Sequence, residues 1–318
     1  MNQERFIQRN EPAWRRLEEL LAKDGADRRA ADFPRIYRRV CQHLALSRSR
    51  LYSNRLIERL NDLVLRAHQR LYGSTATRKG RVGAFFAAGF PAAVRREARL
   101  VGLAALFFYL PLLGMMVALQ INPDLVYTVT DADNLSRMEA MYEPGQYRLG
   151  RERDADSDVM AFAFYIYNNT GIGFRAFASG LLLGLGTLFT LLFNGLFIGA
   201  IAGHLTRIGY GEPFWSFVSG HSALELTAIV LSGAAGFRLG LAILAPGRRT
   251  RLEALKRAGD RAIPVISGAA VMFFLAAFVE AFWSSMAFIA PEIKYAVGIV
   301  MWIAVPGYFL LLGRRDGA

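Results

Sequence analysis

His221 and Glu225 stand four residues apart at the head of an apolar stretch, HSALELTAIVLSGAAGFRLGLAIL (221–244), so on a helix they share one face. Glu280 lies inside a second apolar stretch (263–290), and Asn194 inside the one that precedes His221. Ionisable groups within membrane-spanning segments are costly, and each is a functional candidate by default. An imidazole with two carboxylates has two chemistries open to it: holding a cation, or passing a proton between groups that cannot all be charged at once. If 221–244 and 263–290 form an antiparallel hairpin, Glu225 sits roughly 30 Å and Glu280 roughly 24 Å from the connecting loop, at similar depth. His221, Glu225, Glu280 and Asn194 are therefore expected to form an intramembrane polar cluster. The competing reading is plain interhelical hydrogen bonding that fixes the bundle. A fourth ionisable group, Arg238, lies near the loop end of its stretch and is read as snorkelling to the membrane surface.

Familiar catalytic signatures are missing. The sequence has no HExxH, no GxSxG elbow, no phosphate-cradling glycine loop and no CxxC, and its single cysteine, Cys41, rules out an intrachain disulfide or a cysteine-built zinc site. No catalytic residue, bound metal or cofactor is expected, and the chain is read as a non-enzyme. A metal-dependent intramembrane hydrolase built on His221 and the two glutamates stays open as a lesser alternative.

The segments that must position these residues are of two kinds. Residues 1–99 carry 22 basic and 10 acidic side chains, whereas the remainder sums to zero charge, in a chain that is 53% hydrophobic with a mean hydropathy of +0.25. Up to about residue 80, apolar residues (Trp14, Leu17, Leu20, Leu21; Ile36, Tyr37, Val40, Leu44; Leu56, Leu60, Leu63, Leu71) recur at helical spacing between arginine-rich surfaces. This reads as a basic, cytosolic helical arm next to an anionic lipid leaflet, not as a nucleic-acid binder. Residues 81–99, with Phe85, Phe86 and Phe90 before Arg95, Arg96 and Arg99, read as an interfacial elbow helix. The N-terminus has no apolar core, so no signal peptide is expected.

Residues 100–318 read as an all-α, polytopic transmembrane bundle of five to six spans. Clear spans are 100–120, 178–203, 221–244, 263–290 and 295–313. The segment 160–177 is apolar but interrupted by Asn168, Asn169, Gly171, Gly173 and Arg175, and Asn168-Asn169 is read as a helix break and polar turn. Charge orients the bundle. The segment before the first span is basic, the loop 121–156 is mainly acidic, and 246–263 and Arg314-Arg315 are basic. Six crossings put every basic segment on the cytoplasmic side, whereas five leave 246–263 outside. Six are favoured, with the N-terminus in the cytoplasm and the loop 121–156 external in a bacterial inner membrane. Glycines at four-residue spacing (Gly180 and Gly184; Gly195, Gly199 and Gly203; Gly236 and Gly240) are expected at close helix contacts.

The order of motifs resembles the stage II sporulation protein M family: NN at 168–169, GLLLGLGTLFTLLFNGLFIGA at 180–200, HSALEL at 221–226, SGAAGFRLG at 232–240, PGRRTRLEAL at 246–255 and AAFVEAF at 276–282. The resemblance covers roughly 98–313 and places Asn168, Asn169, Asn194, Gly195, His221, Glu225, Gly236, Arg238 and Glu280 on the family's signature positions. Ser222 departs from it, where glycine commonly follows the histidine. The resemblance implies a membrane subunit of an envelope-remodelling complex in which wall-degrading chemistry belongs to partners. Longer members are encoded beside a MoxR-type AAA ATPase and a von Willebrand-type domain protein, which implies such an ATPase system as partner. A non-enzymatic scaffold is thus the favoured reading, with membrane lipids and other envelope proteins as partners and a homodimer as the expected assembly. The alternative is a transporter, channel or lipid-translocating protein.

Overall fold

Helical periodicity in the arm becomes a buried stripe on each of three helices: α1 (Gln3–Ala22), α2 (Phe33–Ser49) and α3 (Asn54–Tyr72). In a computed structural model, which describes residues 2–22, 32–72, 78–146, 148–150 and 158–314, the chain divides into two units, Met1–Lys79 and Gly80–Ala318. Phe6, Trp14, Leu17, Val40, Leu60 and Leu63 form the centre of the first unit. Ile36, Tyr37 and Leu21 pack against that core while partly exposed. The side chain of Leu71 lies outside the described residues.

Polar groups in the arm are placed at the edge of this core. The Trp14 indole donates to Nδ1 of buried His43 at 3.0 Å. Arg59 lies 5.6 Å above the same indole and grips both oxygens of Glu11 at 3.0 Å. That guanidinium holds the Glu11 carboxyl below its ordinary value of 4.5, and burial depresses His43 below 6.5.

In the second unit a short helix α4 (Arg78–Ala84) leads through a π-turn (Phe85–Gly89) into α5 (Phe90–Arg96). Then follow α6 (Ala98–Ile121), α7 (Ala132–Met141), α8 (Asp158–Ala178), α9 (Leu185–Arg207), α10 (Gly211–Leu244), α11 (Arg251–Val279) and α12 (Pro291–Leu311). No strand occurs among the described residues, only a single bridge between Arg148 and Met286. Five helices are long and apolar enough to cross a membrane: α6, α9, α10, α11 with its π-helical extension to Ser284, and α12. Their outward faces carry Leu110, Val117, Phe189, Ile299 and Ile303, as lipid exposure requires.

The sixth long helix of this unit, α8, is more polar, with Asn168, Asn169 and Arg175 in it, but runs the depth of the bundle. At one end Arg95 donates to the Phe309 carbonyl at 2.5 Å, Arg238 pairs with Glu97, and Gly184 meets Gly240. At the other, Arg207 donates to the Gln120 carbonyl at 2.9 Å, Leu149 donates to the Ser285 carbonyl at 3.1 Å, and Gly150 abuts Phe217 and Tyr165. Helix α8 starts beside the second set and finishes beside the first, at Gly236. Helices α6, α8, α9, α10, α11 and α12 therefore alternate in direction.

Three expectations need correction, and a fourth, the elbow, gains a second role. Asn168 and Asn169 do not break α8, which is continuous from Asp158 to Ala178. Their amides find side-chain partners inside the bundle, so the backbone ladder is not disturbed. The break comes later, at Ser179–Gly184, where Leu183 (φ 57°) and Gly184 (φ 81°) take the left-handed conformation and start α9. Gly184 is thus a turn residue, and not a partner of Gly180 on one helix face. The basic stretch 246–263 is mostly helix: a capping box between Thr250 and Glu253 starts α11 at Arg251, well before its apolar part. Finally, the elbow is tied into the bundle as well as leading to it, since Phe90 is buried in a notch left by Gly268 and against Phe309. Residues 151–157 of the acidic loop and Arg315 lie outside the described residues.

The remaining glycines sit at close helix approaches. A methyl group on Gly195 or Gly199 would collide with the α6 carbonyls of Phe108 or Leu112, and one on Gly203 would meet the Met116 Cα at 3.0 Å. Gly180 and Gly236 face each other, again with no room for a side chain.

Candidate functional site

Helix α10 carries His221 and Glu225 one turn apart, and the start of the π-helical segment Glu280–Ser284 carries Glu280. The wider π-turn puts Glu280 and Ser284 where both face α10, a local irregularity that recurs at functional sites. One ligand atom from each of His221, Glu225 and Glu280 lies within 4.8 Å of the other two. His221 and Glu280 are buried and Glu225 is nearly so.

Hydrogen bonds aim these groups. Nδ1 of His221 is 3.0 Å from the Ser284 hydroxyl, leaving Nε2 turned toward Glu225 Oε2 at 3.7 Å. Asn169 on α8 donates to Glu280 Oε2 at 3.2 Å and accepts from Asn168 at 3.0 Å. Lys294, 1% exposed in the first turns of α12, donates from Nζ to the Ser284 carbonyl at 2.8 Å. Two cavities meet at Glu280. One, of about 730 Å³, is walled by α6, α9, α10 and α12 with His221, Glu225 and Glu280 at its polar end. The other, of about 760 Å³, reaches Glu280 from the side of α7, past Arg137, Tyr142 and Asn168.

Of the four residues expected to cluster, the structure gathers His221, Glu225 and Glu280. Asn194 is elsewhere occupied: its amide turns back onto the Thr190 carbonyl of its own helix at 2.7 Å. Asn169 takes the amide's place beside Glu280. Its signal was an amide one helical turn from the aromatic Tyr165 on an apolar face, masked by the neighbouring Asn168 and the glycines that follow. Lys294 carries no such signal, because hydropathy alone starts the last span after it, at 295, whereas α12 begins at Pro291.

Arg238 lies toward the loop end of its span, partly exposed, and is held there by an ion pair. Its Nε donates to Glu97 Oε2 at 2.8 Å, Nη2 binds the same oxygen, and Glu97 is buried with Oε1 lacking a hydrogen-bond partner. A second His–Glu pair, His204 with Glu139 at 2.6 Å, joins α9 to α7 away from the cluster.

These groups can bind a cation or share protons. No curated protein and no solved structure matches the chain. A family model for a Domain of unknown function (DUF8413) matches residues 4–73, covering α1 to α3. The model described as Stage II sporulation protein M matches residues 101–285, from α6 through the π-helical segment that bears Glu280. A match over more than half of the sequence, spanning all three cluster residues, makes this multi-pass membrane protein a member of the stage II sporulation protein M family.

Proposed function

We propose that the protein is a non-enzymatic subunit of a cell-envelope-remodelling complex in the bacterial cytoplasmic membrane, with its N-terminus in the cytoplasm. The observation that carries this reading is the packing of the body. Backbone meets backbone where α6 crosses α9 and where α10 meets the Ser179–Gly184 turn, contacts that only glycine permits. Such a body suits holding partners in fixed geometry. Family membership supports the same class. Orientation is supported by the charges at the two ends: Arg95, Arg96, Arg99, Arg249 and Arg251 gather at one, and Asp124, Asp131, Asp133 and Glu292 at the other.

In this reading the basic arm docks cytosolic partners or anionic lipid, and a MoxR-type ATPase is the first partner to seek, with a homodimer as the assembling unit. The test is affinity purification of the full chain and of a chain lacking residues 1–72. Loss of the ATPase and envelope partners from the truncated chain, with the body still monodisperse, is expected. An unchanged set of partners would remove the arm's role.

One observation favours a second reading. A cavity of about 730 Å³ ending at three ionisable groups fits a protein that handles an ion or amphipathic ligand within the membrane. Flux or lipid scrambling in proteoliposomes that falls in Glu225→Gln and Glu280→Gln would support transport, and its absence in the wild type would remove it.

A further inference from the structure

We infer that His221, Glu225 and Glu280 bind one divalent transition-metal ion of the zinc class, with a further coordination position open to the cavity between α6, α9, α10 and α12. The argument begins with charge. Two carboxylates whose oxygens lie within 4.8 Å of each other, in a bundle interior, cannot both stay ionised without a compensating charge. A divalent cation cancels both, and the resulting unit is neutral, as its surroundings require.

Geometry supports the same conclusion. Zinc bonds of roughly 2.0–2.2 Å at tetrahedral angles place ligand atoms about 3.4 Å apart. The His221–Glu225 separation of 3.7 Å is close to that value and too long for a hydrogen bond between the two groups. Histidine and glutamate four apart on a helix already share a face, and the π-turn supplies the third ligand from α11.

The outer contacts have the form of a supported metal site. Ser284 engages Nδ1 of His221 and so directs Nε2 inward, while Asn169 orients Glu280. Water and ions can reach the ligands through the cavity beside α7 that ends at Glu280. An all-nitrogen-and-oxygen set without cysteine favours zinc, iron or manganese over copper(I). The rival account is that Lys294 and a shared proton provide the charge instead. The inference does not rest on the scaffold reading, since a purely structural ion would satisfy both.

The experiment is metal analysis of the full-length protein, purified in micelles without chelator, loaded with zinc and desalted. About one zinc per chain is expected in the wild type, following the single three-ligand set. Glu225→Gln and Glu280→Gln, which keep shape and remove charge, should retain less than about a tenth of that amount. Asn169→Ala and Ser284→Ala should weaken zinc affinity by about 10–100-fold. His204→Gln, at the His204–Glu139 pair, should bind zinc as the wild type does. A wild type that holds less than about a tenth of an equivalent would overturn the inference. So would zinc retained in both glutamine variants, or lost in His204→Gln. If a glutamine variant elutes as aggregate, cobalt substitution of the wild type decides: a tetrahedral absorption spectrum supports the site, and an octahedral or absent one overturns it.

Discussion

The arm and the membrane body are both helical and both bury large apolar side chains, yet their closest helix contacts differ in kind. Between α1, α2 and α3 lie Phe6, Trp14, Leu17, Leu60 and Leu63, large side chains that leave water on folding. Between α6 and α9, and between α10 and the chain around Ser179–Gly184, lie glycines. Lipid tails are as apolar as leucine, so burying large apolar groups gains little in a membrane, and close backbone contact and polar pairing take over. Charge is distributed accordingly. Arginine covers the outside of the arm, as in the bridges of Arg59 to Glu11 and Glu18, whereas in the body Arg238 is paired with a buried glutamate.

The sharpest break in this comparison should come from Arg238→Ala. It strands the buried Glu97 carboxylate, at a cost of about 3–5 kcal/mol. Thermal unfolding of the purified protein should show the loss, and Glu97→Gln combined with Arg238→Met should recover most of it. A double variant as unstable as the single one would mean that Arg238 acts through packing alone.

Next in size are two core substitutions with opposite logic. In the arm, Leu60→Ala leaves a hole and should cost about 2–5 kcal/mol, read as faster hydrogen exchange across residues 3–72. In the body, Gly199→Ala adds one methyl against the Leu112 carbonyl and should cost about 1–3 kcal/mol, read from the unfolding midpoint in a fixed micelle. A neutral Gly199→Ala would mean that the α6–α9 contact has room for a methyl group.

The smallest effect concerns acid, and it should appear in the arm. His43 and Glu11 both have folded-state values below their unfolded ones, so protonation favours the unfolded arm. The His43 contribution is complete above about pH 6.5 and declines as pH falls below it; that of Glu11 is complete above about 4.5 and declines below that. Amide protection in residues 3–72 of the intact protein, taken as the observed rate relative to the intrinsic rate at each pH, should therefore fall first below pH 6.5. His43→Gln should remove the upper of the two steps.

Periodicity made the arm legible residue by residue, because leucine and tryptophan at helical spacing have only one way to be buried. Spans were legible from length and hydropathy, and the common depth of Glu225 and Glu280 from counting residues along two helices. What misled was polarity within an apolar segment. Asn168 and Asn169 suggest a break because nothing near them in sequence can satisfy an amide in lipid, and the partner of Asn169, Glu280, is 111 residues away. Arg238 does stand toward the loop end of its span, but its counter-ion Glu97, 141 residues distant, has no local signal.

By itself, the amino-acid sequence determined the helices, the divide between a basic arm and a membrane body, and the positions of ionisable groups along each span, since all of these follow from local spacing and composition. Only the tertiary structure decided that α8 runs the full depth as one helix, that Gly184 is a turn, that Asn169 and not Asn194 serves Glu280, and that Glu97 answers Arg238. The physical reason is that the energy of a polar group in a membrane depends on what it meets across the bundle, and helix direction and rotation set that meeting.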